Sequence, residues 1–163
     1  MGSPTCTQGE WHPAPAIPRL TRVCPAGAQA ESGGSGPTEM TATPRTVVLV
    51  EDDEGLRSAL VRILGLAGFR VESYSSAEDA LAAGAAARAA CIVCDVYLPR
   101  ETGFGLCRKL SQGGPRPPVI FITAHDLPAV RAEAEALGAA NYLIKPFAGR
   151  ELVAAVRASL ASA

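Results

Sequence analysis

From Thr46 to the C-terminus, short apolar runs alternate five times with longer segments of helical period. The runs are VVLV (47–50), FRVESY (69–74), ACIVCD (90–95), PVIFIT (118–123) and NYLI (141–144). Between the first two, Glu54 to Ala67 sets Leu56, Leu60, Ile63 and Leu64 on one helical face. The same spacing predicts helices over Ala77 to Arg88, Gly103 to Leu110 and Leu127 to Leu137. A last helix, Arg150 to Ala161, carries Leu152, Val153, Val156 and Leu160, and Ser75-x-x-Glu78 reads as a capping box for the second helix. Most runs lack polar alternation, the mark of strands buried on both faces, and every connection is long enough for a crossover helix. The pattern therefore predicts an α/β fold, a doubly wound five-stranded parallel sheet with helices on both sides.

The chain before residue 46 reads differently. WHPAPAIPRL, CPAGAQA and ESGGSGPTE carry Pro and Gly throughout, with no helical or strand period. Such a segment buries too little apolar surface to offset its ordering entropy, so residues 1–45 are expected to be a disordered N-terminal extension and 46–163 the folded domain. Met40 opens MTATPRTVVLV, a normal short lead into a first strand, which raises translation from Met40 as an alternative start; the intact mass of the natively expressed protein distinguishes the two. Fifteen Lys and Arg against 16 Asp and Glu leave a net charge of −1, so no bulk positive field draws nucleic acid or an anionic membrane. No apolar run reaches the roughly 18 residues of a spanning helix, and a signal peptide's basic start and apolar stretch are missing. The expectation is a cytoplasmic protein without direct contact to nucleic acid or membrane.

Five cysteines, Cys6, Cys24, Cys91, Cys94 and Cys107, are an odd number and a poor basis for a disulfide framework. Cys91-x-x-Cys94 has redox or zinc spacing, but inside CIVCDV a strand sends residues three apart to opposite faces, so buried reduced thiols are expected.

In doubly wound sheets the ligand site lies at the carboxyl ends of the strands. Here those ends hold Glu51, Asp52 and Asp53 after the first strand, Asp95 at the end of the third, Thr123 at the end of the fourth and Lys145 after the fifth. Clustered carboxylates repel and call for a cation, and all-oxygen ligation suits Mg²⁺. Lys145 complements an added anion, and Thr123 offers it a donor. A carboxylate beside a hard cation, a lysine and a hydroxyl is equipped to accept a phosphoryl group on oxygen. Asp95, the lone acid at the end of a central strand, is the candidate nucleophile, and the vicinal Glu51 and Asp52 suit the metal.

Plainer readings exist for each residue alone. Glu51 to Glu54 is also what an acidic helix start looks like, Asp95 a cap, Lys145-Pro146 an exposed loop and Tyr142 an ordinary strand aromatic. His125 reads as a loop histidine and Gly103 as a turn residue, since no GxGxxG or GxxxxGK[ST] follows any strand. A haloacid-dehalogenase-type phosphatase needs a second Asp two residues after the first, where Tyr97 stands; a flavodoxin needs a Ser/Thr-rich first loop, which here is acidic.

Taken together, VVLVEDDEGLR, CDVYLPRETGF, VIFITAH and GAANYLIKPF, in this order and at these spacings, resemble the receiver domain of bacterial two-component response regulators, particularly receivers that precede helix-turn-helix output domains. The resemblance runs from about Thr46 to the C-terminus. It implies a flavodoxin-like (βα)5 fold with strand order 2-1-3-4-5. It also implies Asp95 as phosphoacceptor, Asp52 as a direct Mg²⁺ ligand, Glu51 holding the ion through water, and the backbone carbonyl of Tyr97 as a further ligand. Thr123 matches the switch hydroxyl, Ala124 the small residue that leaves the phosphoryl group room, Lys145 the lysine on a phosphoryl oxygen, Pro146 a cis Lys-Pro bond, and Tyr142 the aromatic that moves with the threonine. Glu51 stands where Asp is commoner. Tyr97 and His125 occupy variable positions at which the family tunes phosphoryl lifetime; a bulky Tyr97 is expected to shield the acylphosphate, so Tyr97→Asn should hasten its loss.

As the chain continues only briefly past the last helix, the resemblance suggests a stand-alone receiver, phosphorylated by a sensor histidine kinase or a phosphotransfer protein and at most self-phosphorylating and self-dephosphorylating. Its downstream protein, or a second receiver in a homodimer, would read the face of the fourth helix, fifth strand and fifth helix. The alternatives are a phosphorelay shuttle and a pseudo-receiver that binds partners constitutively.

Overall fold

The computed structural model describes residues 44–162. The extension expected over 1–45 falls almost wholly outside the described residues, as do Met40, Cys6 and Cys24. Five strands, β1 (Thr46–Val50), β2 (Arg70–Tyr74), β3 (Cys91–Asp95), β4 (Val119–Thr123) and β5 (Asn141–Ile144), pair in parallel in the order β2-β1-β3-β4-β5. Five helices cross over between and after them: α1 (Glu54–Leu66), α2 (Ala77–Ala82), α3 (Gly103–Gln112), α4 (Pro128–Ala136) and α5 (Gly149–Ala161). This is the doubly wound α/β sheet that the apolar runs predicted. None of the described helices is long and apolar enough to cross a membrane.

Period-two alternation divides the buried side chains between two cores. Val47, Leu49, Cys91, Val93, Ile120 and Ile122 pack against Leu60 and Leu64 of α1 and Leu152 and Val156 of α5. Val48, Val50, Ile92, Cys94 and Phe121 face the other way, toward Ala77 and Ala80 of α2, Phe104 and Cys107 of α3 and Ala134 of α4. Cys91 and Cys94 thus lie on opposite faces, as the strand period requires, and burial pushes the Cys91 thiol up to about 12 and the Cys94 thiol well above its usual range. Neither the redox nor the zinc geometry can form across a sheet.

Most boundaries shift by one or two residues from those expected, and three departures have a clear physical cause. β4 begins at Val119 because Pro118 has no N–H to give to a ladder, though its carbonyl accepts from Ile92 at 2.9 Å. The predicted Ala77 to Arg88 helix ends at Ala82; Gly84 takes φ 59°, and a 3₁₀ turn follows over Ala85–Arg88. The cap of α2 is Ser76, not Ser75: the Ser76 hydroxyl accepts from the Asp79 amide at 3.1 Å, and the box expected of Ser75 and Glu78 does not form. Ser75 reaches only the Asp79 carboxylate, and Glu78 pairs with Arg100.

Candidate functional site at the carboxyl ends of the strands

Pairing register brings the reactive residues together. Val50 lies beside Cys94, and Asp95 beside Ile122, so Glu51 and Asp95 leave the sheet at neighbouring strand ends. The Glu51 amide still donates to the carbonyl of Tyr74 at 3.1 Å, which extends the sheet by one bond and holds the carboxylate under the loop that follows. Glu51 is 1% exposed, Asp95 6% and Thr123 0%. Asp52 is exposed, yet one oxygen from each of Glu51, Asp52 and Asp95 lies within 4.8 Å of the others. The third acid of the run, Asp53, does different work: its carboxylate accepts from the Leu56 amide at 2.6 Å and caps α1.

Lys145 follows β5, and its amide, bonded to the Thr123 carbonyl at 2.7 Å, points the chain back toward the site. Its Nζ donates to Asp95 Oδ2 at 2.5 Å and to Glu51 Oε2 at 2.7 Å. The Lys145-Pro146 bond is cis. The other Asp95 oxygen, Oδ1, accepts from the Tyr97 amide at 2.9 Å, so the carboxylate is held at both ends. Burial raises the Glu51 pKa above its ordinary value, with the Lys145 hydrogen bond opposing and the Asp95 charge reinforcing the rise. For Lys145 burial opposes the charged form, and the bonds to Asp95 and Glu51 outweigh it, so its pKa lies above the usual lysine value.

Thr123 closes β4 with its hydroxyl turned along the loop, donating to the His125 carbonyl at 3.3 Å and accepting from the His125 amide at 3.2 Å. Ala124 beside it is exposed. Tyr142 on β5 is half-buried, its hydroxyl donating to the same His125 carbonyl at 3.4 Å and its ring under the Arg131 guanidinium. Thr123 and Tyr142 are therefore joined through one carbonyl. Tyr97, 46% exposed, meets the His125 ring edge-on with centroids 5.3 Å apart, so the two variable positions touch at the rim.

Two residues at the site were not assigned any part in its chemistry from sequence. Gly103 is more than a turn residue: a Cβ there would sit 2.2 Å from the Asp95 carbonyl oxygen, so only glycine lets the start of α3 abut the strand that ends in Asp95. Arg57, in the first turns of α1, donates from Nη1 to the carbonyls of Glu51 at 2.7 Å and Asp52 at 3.1 Å. A glycine opening a helix was the one available signal for the first; for the second, the arginine closing VVLVEDDEGLR carried none.

The donor set fits a divalent cation: hard carboxylate oxygens at short range, two of them buried, with backbone oxygen nearby. The response regulator receiver domain family matches residues 47–157. The transcriptional regulatory protein GltR of Pseudomonas aeruginosa is 41% identical over 123 residues, covering 74% of this chain and 51% of GltR. The transcriptional regulatory protein FixJ of Azorhizobium caulinodans is 39% identical over 114 residues, 70% of this chain and 54% of that protein. The chain thus spans about half the length of these curated relatives. Among solved structures, one titled FixJ-N superimposes with a TM-score of 0.68 at 30% identity, over 75% of this chain and 98% of that one. Sheet order, the residues at the strand ends and a match that runs from β1 into α5 agree, and the chain belongs to the response regulator receiver domain family.

Proposed function

We propose that this receiver accepts a phosphoryl group on Asp95 from a phosphohistidine of a sensor histidine kinase or phosphotransfer protein, and that phosphorylation switches the surface it offers to partners. The observation that carries the reading is Lys145 Nζ bound at once to Asp95 and Glu51, with the Asp52 carboxylate completing the acidic cluster. An Asp95 oxygen forms the bond to phosphorus while the bond to the imidazole nitrogen breaks and its electron pair returns to the ring. Lys145 then exchanges a carboxylate partner for a phosphoryl oxygen, and the Tyr97 amide keeps the acceptor from rotating. Mg²⁺, held by Glu51, Asp52, Asp95 and the Tyr97 carbonyl, supplies charge neutralisation for the phosphoryl oxygens when bound.

Thr123 leaves the His125 carbonyl to donate to the new anion, with Ala124 leaving room, and Tyr142, tied to that carbonyl, follows. The altered surface is the face of α4, β5 and α5, where a downstream protein or a second receiver would bind. In energetic terms the phosphoryl group biases a two-state equilibrium through contacts that only one state makes. We take residues 46–163 as the receiver and 1–45 as an extension to it.

Intact mass after incubation with MgCl2 and acetyl phosphate tests the reading. The wild type should gain a phosphoryl group, about 80 Da, only with Mg²⁺, and Asp95→Asn should gain none. No gain from acetyl phosphate or from a panel of phosphorylated kinases would sink phosphoacceptance and leave a constitutive binding module. Return of the group to a histidine protein in a reconstituted relay would mark a shuttle.

A further inference from the structure

We infer that Arg57 is a positioning residue for the acidic cluster, a clamp on the β1–α1 loop that aims the Asp52 carboxylate at Asp95; the inference rests on the cation-binding reading of that site. Asp52 is exposed, so packing does little to fix it, and among the described residues no hydrogen bond or ion pair holds its carboxylate. Its direction is therefore a matter of backbone. Arg57 Nη1 lies 2.7 Å from the Glu51 carbonyl oxygen and 3.1 Å from that of Asp52. These two carbonyls belong to the peptide planes on either side of Asp52, and planes are rigid units joined only through φ and ψ. One nitrogen bound to both planes restrains both dihedrals of Asp52, and with them the line of its Cβ.

The rest of the loop is anchored around this bond. Glu51 is held from before by the Tyr74 carbonyl, and Asp53 from behind by its cap on the Leu56 amide. The Arg57 amide also bonds the Asp53 carbonyl at 2.8 Å, so the helix that carries the guanidinium is itself registered on the loop. Between two anchored neighbours, the Arg57 contact joins the two planes of Asp52, beside the Asp53 amide, which bonds the Glu51 carboxylate.

Charge alone predicts something else. A guanidinium near a cation site repels the cation, so removing it should tighten binding, whereas loss of the clamp should weaken it. Arg57→Lys keeps the charge but is one bond shorter than the reach to Nη1; Arg57→Met removes both charge and contact. The experiment uses the full chain, with MgCl2 alone titrated by calorimetry and hydrogen exchange followed at the amides of residues 52–54 in metal-free buffer. Both variants should bind Mg²⁺ about tenfold more weakly, the size usual for loss of an outer support of a metal site. Acetyl phosphate labelling should need correspondingly more Mg²⁺ yet reach the same extent, and exchange at 52–54 should quicken while amides in β3 and β4 keep their protection.

Tighter Mg²⁺ binding by Arg57→Met with no change in Arg57→Lys would overturn the clamp in favour of simple repulsion. Affinity and exchange equal to wild type in both variants would overturn it as well. Should the wild type bind no Mg²⁺, the cation reading of the site fails; unchanged exchange at 52–54 in the variants would then refute the clamp separately, and quickened exchange there would uphold it as a loop anchor.

Discussion

Lys145→Met removes the cation that holds two buried carboxylates together while keeping most of the apolar stem. In the wild type Nζ sits 2.5 Å from Asp95 and 2.7 Å from Glu51, which are 6% and 1% exposed. Stripping one partner from a fully buried pair costs about 3–5 kcal/mol. Here the lysine side chain is 18% exposed and the Asp52 side of the cluster is open to water, so we expect about 2–3 kcal/mol. For a domain of this size that is a fall of roughly 10 °C in Tm.

The pH dependence identifies the cause. A carboxyl whose folded pKa exceeds its unfolded value gives its full stability below the unfolded pKa and loses it as pH rises through the folded one. Glu51 is such a group, raised by burial and held back by Lys145; without the lysine it rises further. The variant's deficit should therefore be full at about pH 8 and shrink toward about pH 4.5 as Glu51 protonates. Lys145 itself stays charged throughout this range, since its raised pKa means loss of the charge only as pH climbs past the ordinary lysine value of about 10.4, so the shrinkage reports the carboxyl and not the lysine. Urea melts of both proteins across this range in metal-free buffer measure it, and MgCl2 should narrow the gap. An equal deficit at both ends of the range would place the loss in stem packing and refute the electrostatic account.

Other expectations follow from single contacts. Gly103→Ala forces a Cβ to within 2.2 Å of the Asp95 carbonyl, so denaturant melts should show a loss of about 2–3 kcal/mol together with slower labelling of Asp95 by acetyl phosphate; wild-type stability would mean α3 can slide away freely. Ser76→Ala should cost about 1 kcal/mol in thermal melts and Ser75→Ala only a few tenths, the reverse of what a box at Ser75 predicts. Iodoacetamide at about pH 8 should leave Cys91, Cys94 and Cys107 unmodified in the folded protein, because burial raises all three thiols and only the thiolate reacts; peptide mapping that finds rapid labelling of Cys91 or Cys94 would break the assignment of both to the sheet interior.

What could be read from the sequence was what two periodicities encode. Uninterrupted apolar runs located the strands, and the rule that parallel sheets bind ligands at their carboxyl ends singled out four run endings with Glu51, Asp52, Asp95, Thr123 and Lys145, of which the fold brings Glu51, Asp52, Asp95 and Lys145 into contact range. The same period placed Cys91 and Cys94 back to back. Three details escaped for physical reasons. In ALAAGAAA (80–87) no polar residue marks the phase, so the break at Gly84 had no pattern to disturb. Adjacent Ser75 and Ser76 each have an acid three residues on, and only the backbone shows which one is extended at the helix start. The contacts of Arg57 with two carbonyls and of Gly103 with a third involve main-chain atoms, to which side-chain patterns are blind.

The charges at the site also imply an order of events for the proposed phosphoryl transfer. Glu51, Asp52 and Asp95 carry three negative charges when ionised, and among the described residues Lys145 is the one cation bound to their carboxylate oxygens, Arg57 being bound to backbone carbonyls. Two negative charges are left over, the charge of one divalent cation. A phosphoryl donor is itself anionic, and at a cluster so poor in counter-charge its approach is opposed by repulsion that partial burial leaves weakly screened. On the proposed function, cation before phosphoryl is thus the favourable order. The lysine pairs Glu51 and Asp95 with each other, and that pairing occupies Asp95 Oδ2. On the proposed reading, a cation held by Glu51 and Asp52 would supply the missing positive charge, and Lys145, no longer needed at Glu51, would be able to turn from Asp95 toward the incoming oxygens.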